Sequence, residues 1–150
     1  MRGPRLRTAL RATAIAALCL GGCSSAPDKP KVHEGSGKAF IPRSILEITP
    51  CITDALRTTF GVSPETDHSY ARPQGAGPEH YKLKYIVRPN AAATGIAEDS
   101  GQRLTYEIYN RGRVGTGVLY TVEVTRGSVS EWLAQAAIPL EQCGATIAKR

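Results

Sequence analysis

The stretch that decides the fold is 104–124, LTYEIYNRGRVGTGVLYTVEV. Leu104, Tyr106 and Ile108 alternate with Thr105, Glu107 and Tyr109; Val114, Val118, Tyr120, Val122 and Val124 alternate with Arg113, Thr121 and Glu123. Apolar residues at every second position put one apolar face on a strand, and a polar second side means a sheet covered on one face only. Asn110-Arg111-Gly112 separates the two runs. Read as a three-residue loop with Gly112 left-handed, it makes a G1-bulge hairpin that sets Ile108 opposite Val114 and Leu104 opposite Val118. A two-residue loop would set Ile108 against Gly115 and Tyr106 against Gly117, so packing favours the longer form. Upstream, Tyr81, Leu83, Tyr85 and Val87 alternate with Lys82, Lys84 and Arg88, which gives a third strand. If neighbours in the chain are neighbours in the sheet, Lys82 and Lys84 meet Glu107 or Glu123 on its open face.

Helices flank these strands. Ser44-Ile45-Leu46-Glu47 reads as a capping box, and Ile48, Ile52, Leu56 and Phe60 recur every four residues with Ile45, Cys51 and Ala55 beside them, up to Gly61. Pro50 either kinks this helix or restarts it with Thr49 as N-cap. Ser128-Val129-Ser130-Glu131 reads as a second capping box before Trp132, Leu133, Ala136 and Ala137, with Pro139 interrupting the helix. The expected fold class is α+β in two layers: an N-terminal helix on a three-stranded antiparallel meander, with a C-terminal helical return.

The chain has 150 residues, enough for one domain; 41% are hydrophobic and 21% charged, with 15 Gly and 10 Pro. That balance excludes a collagen, a coiled coil, a polytopic membrane protein and a fully disordered chain. The formal charge of +6 is concentrated at the start, in Arg2, Arg5, Arg7 and Arg11. Without those four, 15 Lys and Arg face 13 Asp and Glu, a net of about +2. A domain so near neutrality has no general nucleic-acid footprint, and no nucleic-acid partner is expected.

The basic start leads into the apolar run 12–20 (ATAIAALCL), too short for a permanent span, which ends in Leu20-Gly21-Gly22-Cys23. With a leucine three positions before a cysteine and small residues between, this leader resembles that of bacterial lipoprotein precursors. The resemblance covers the leader only. It implies that residues 1–22 are a signal peptide and that Cys23 takes a diacylglyceryl thioether and becomes the new N-terminus. It also implies a bacterial cell-envelope address, with the membrane as partner through the N-terminal lipid. Ser24 after the cysteine resembles the default for outer-membrane sorting, facing the periplasm, in a Gram-negative source; in a Gram-positive one the anchor sits on the outer face of the plasma membrane.

Residues 23–42 read as a flexible tether rich in Ser, Pro, Gly and Lys, and 43–150 as the single folded domain. Cys19 leaves with the leader and Cys23 carries lipid, so Cys51 and Cys143 remain in an oxidising compartment and are expected to form a disulfide.

Candidate chemistry is sparse. The chain topology gathers Arg72, His80, Arg111 and Arg113 at one rim, where guanidinium groups suit a carboxylate, a phosphate or an acidic protein surface; solvated edge charges are the plainer reading. Asp67-His68 and Glu79-His80 are carboxylate–histidine pairs of the kind zinc accepts, but loose loop spacing assigns no metal site. Tyr81, Tyr85, Tyr106 and Tyr120 on the inner face either line a pocket or pack the core. No nucleophile motif, phosphate loop or dinucleotide fingerprint is present, so no catalytic residue and no cofactor are assigned. The expected function is a lipid-anchored binding or assembly module with an envelope protein partner. The alternatives are a small-molecule or anionic-ligand binder, and an envelope hydrolase with His68 or His80 as base.

Overall fold

The computed structural model describes residues 30–67, 82–90 and 101–148. The alternation in 104–124 does what period two requires: Leu104, Tyr106, Ile108, Val118, Tyr120, Val122 and Val124 are all buried. These residues lie on β4 (Arg103–Asn110) and β5 (Thr116–Val124), with β3 (Lys82–Val87) on the other side of β4. The antiparallel sheet has six strands rather than the expected three, in the order β2-β3-β4-β5-β1-β6. β2 (Glu65–Thr66) and β6 (Thr146–Ile147) are two-residue edge strands.

The largest correction concerns the tether. Residues 33–41 form β1 (His33–Ile41), a nine-residue strand paired with β5 from His33↔Val124 to Ile41↔Thr116. Its composition mimics a linker because the strand is built around what packs on it. His33, Gly35, Gly37, Ala39 and Ile41 fall on the inner face, in register with the buried side of β5. A Cβ at Gly37 would strike the Tyr120 ring, and one at Gly35 would strike Val129 and Leu133. Here the neighbours supply the apolar surface that a strand usually carries itself.

The hairpin register is also corrected. Asn110 pairs with Thr116, so Ile108 faces Val118, Tyr106 faces Tyr120 and Leu104 faces Val122. The loop is longer than three residues. Gly112–Val114 forms a 3-10 turn, the Arg111 N–H donates to the Gly115 carbonyl at 2.8 Å, and Val114 is 70% exposed instead of paired. Gly112 does take the expected left-handed conformation (φ 68°). The criterion against glycine partners failed because Gly117 faces Tyr109, whose ring occupies the space a side chain would need.

Both helices cover the inner face. α1 (Ile45–Phe60) is one helix with Pro50 inside it and a complete Ser44/Glu47 capping box. Pro50 cannot donate to the carbonyl of Leu46, but Leu46 is 74% exposed, so water reaches that side of the helix. Ile45, Ile48, Ile52, Leu56 and Phe60 are buried. α2 (Val129–Gln142) continues through Pro139, which does not interrupt it. Its buried face of Trp132, Ala136, Ala137, Pro139 and Leu140 holds the turn that the missing N–H weakens. Ser128 caps it by accepting from the Glu131 N–H at 3.4 Å; the return bond of a full capping box is not formed among the described residues. Cys51 in α1 is bonded to Cys143 at the end of α2, with Cα atoms 5.9 Å apart, as the cysteine count required. The bond closes a sequence separation of 92 residues. On a chain-entropy basis, a loop of that length contributes about 4 to 5 kcal/mol. No helix among the described residues is long and apolar enough to cross a membrane.

Candidate functional site

The two faces of the sheet differ in what they offer. On the inner face the described tyrosines, Tyr85, Tyr106 and Tyr120, are buried in the core. Tyr106 is fully buried and donates its hydroxyl to the Ala136 carbonyl at 3.0 Å. Its ring stacks near Tyr120, with centroids 6.4 Å apart. Tyr85 shares a hydrogen bond with the Thr53 hydroxyl at 3.0 Å. Burial, and then the neighbouring Tyr120, push the Tyr106 phenol well above the usual tyrosine range. Tyr81 lies outside the described residues.

At the end of the sheet where β4 turns into β5, two of the four expected rim residues are placed. Arg111 and Arg113 are exposed on the hairpin tip. The tip is seated on the corner between β1 and α1: Thr116 donates its hydroxyl to the Arg43 carbonyl at 2.8 Å, and a Cβ at Gly115 would strike the Ile41 carbonyl. That seating brings in Arg43, exposed just before the α1 cap, which the sequence reading missed. It would have stood out only once 33–41 was read as a strand leading into this corner. Leu46 at 74% and Val114 at 70% are exposed at the same end. The tip itself carries Arg111, Arg113 and the exposed Val114, and the α1 corner on which it is seated carries Arg43 and the exposed Leu46. Glu47 is the acid of this corner, and its carboxyl is held below the usual range by the Ser44 hydroxyl and then the Ser44 N–H. Arg72 and His80 lie outside the described residues, as do Cys23 and His68.

The outer face holds a groove of about 330 Å³ lined by Lys38, Lys82, Glu107, Ile108, Tyr109 and Leu119. Register explains the assembly: Lys84, Glu107, Leu119 and Lys38 form one row across four strands, and Lys82, Tyr109, Gly117 and Phe40 form the next. Lys84 stands opposite Glu107 as expected, while its ammonium lies 3.8 Å from the Asp67 carboxylate. Among the described residues, no group of three or more His, Cys, Asp or Glu gathers as metal ligands do. Comparison with family models, curated proteins and solved structures finds no match for the chain.

Proposed function

We propose that this is a lipid-anchored protein of the bacterial envelope whose domain recruits a protein partner through the arginine tip. The observation that carries the reading is the leader, a basic start and apolar run closing on Leu20-Gly21-Gly22-Cys23. The Cys51–Cys143 disulfide suits the oxidising compartment to which such a leader delivers a chain. β1 runs nine residues, about 30 Å of strand, up to the Arg43 corner, so its first residue, the end nearer Cys23 in the sequence, lies away from the tip. Exposed apolar side chains beside guanidinium groups suit an acidic partner surface.

Radioactive palmitate should label the wild-type chain in growing cells and fail to label Cys23→Ala. A photocrosslinker at position 113 should capture a protein in intact cells, and Arg111→Glu with Arg43→Glu should abolish capture. Labelling of Cys23→Ala defeats the anchor, and crosslinks unchanged by charge reversal defeat the tip. The outer-face groove favours a second reading, a ligand-binding lipoprotein. No observation favours the hydrolase, whose two histidines lie outside the described residues.

A further inference from the structure

We propose that the outer-face groove is a binding site for an acidic saccharide, with Tyr109 as the stacking platform and Lys38 and Lys82 as the carboxylate contacts. This deepens the ligand-binding reading and rests on that groove alone, independently of the anchor and the tip.

The platform follows from Gly117. A Cβ at that position would collide with the Tyr109 ring, so the ring lies down across β5 instead of standing up from β4. A phenol ring pressed against backbone on one side offers its other face to the apolar C–H side of a sugar ring. The charges follow from register. Lys38 on β1 and Lys82 on β3 lie three strands apart and in neighbouring cross-strand rows, with the groove between them. Both are exposed, and neither is ion-paired among the described residues. Two ammonium groups on opposite walls of the groove suit a short sugar chain that carries more than one carboxylate. Glu107, between them in the groove lining, is acceptor-only when ionised and suits the hydroxyl donors that a saccharide carries in abundance.

A saccharide fits this place better than a peptide does. Peptides recognised by sheets add at an edge, where main-chain groups are free. The floor here is the face of β4 and β5, whose main-chain bonds are spent on strands β3, β4, β5 and β1. The floor offers the Tyr109 ring and Leu119, with the charged tips of Lys38, Lys82 and Glu107 around them. A volume of about 330 Å³ lies at the small end of ligand sites and suits two or three sugar units.

The test uses the full chain in detergent and a fluorescein-labelled trigalacturonate, read by polarisation, with maltotriose and a hexaglutamate peptide as competitors. The expected result is saturable binding that unlabelled trigalacturonate displaces and neither competitor displaces. Lys38→Gln with Lys82→Gln should weaken it at least tenfold and Tyr109→Leu at least fivefold, with thermal midpoints near wild type. Arg111→Ala with Arg113→Ala should leave it unchanged. Three results overturn the proposal: no binding at millimolar saccharide, an affinity unmoved by the lysine pair, or loss on removing the tip arginines. Displacement by hexaglutamate with Tyr109→Leu silent also overturns it, while leaving the groove a ligand site for acidic peptides.

Discussion

Tyr106 shows how one side chain joins the layers of this fold. Its ring is core, and its hydroxyl is the bridge from β4 to the carbonyl of Ala136 in α2. Tyr106→Phe removes that bond and should lower stability by about 1 kcal/mol in denaturant titration, with the slope unchanged. Its proton also sets an alkaline limit. The phenol stays protonated in the fold above the usual tyrosine pKa of about 10, where the unfolded chain ionises. The stability tied to that proton is full below pH ~10 and is lost as pH rises from there toward the folded value. In a titration followed by phenolate absorbance, Tyr106 should ionise only as the chain unfolds, and Tyr106→Phe should flatten the alkaline limb. Glu47 acts in the opposite sense. Its depressed carboxyl stabilises the capped helix above the ordinary carboxylate range and releases that stability as pH falls through its folded value. Glu47→Gln should flatten the acid limb of the same stability curve.

At the scale of elements, β1 is the strand on which the sheet depends. A chain starting at Arg43 lacks it and leaves the edge of β5 and the buried faces of Val118, Val122 and Val124 open. Such a chain should fail to give a dispersed amide spectrum, whereas one starting at Pro30 should give it. The reason β1 was hidden marks the limit of pattern reading. β3, β4, β5 and both helices carry their own apolar periodicity and so were legible as elements, although Val114 proved to lie in the turn and the last helix to run on through Pro139. β1 carries Gly35 and Gly37 where the apolar stripe belongs, because Tyr120, Val129 and Leu133 already fill that volume from the other side. The same blindness hid the groove, since Gly117 reads as an empty position until the Tyr109 ring is seen across it. Of the rim, Arg111 and Arg113 were legible from the turn, while Arg43 depended on a strand whose own residues do not announce it. Gly37→Val should lower the thermal midpoint, because the buried Tyr120 ring must shift to make room for the new side chain.

For the whole molecule, the strand shortens the leash. Nine residues separate Cys23 from His33, at most about 36 Å between those two residues at full extension. If Cys23 carries the proposed lipid, His33 cannot lie farther than that from the anchored residue. Reduction of Cys51–Cys143 should release two titratable thiols and lower the thermal midpoint by many degrees, because the bond joins the two helices over the core. It also governs how the molecule answers a mechanical load. Pulled from its two ends, the oxidised chain can pay out only the segments that flank the cysteine bracket, which carry β1 on one side and β6 on the other. The 92-residue span inside the bracket, about 300 Å of contour, is shielded from tension until a reductant opens it. A tethered protein dragged by its partner would thus lose its two flanking strands and keep its middle, and a single-molecule trace should show the missing length appear only after thiol treatment.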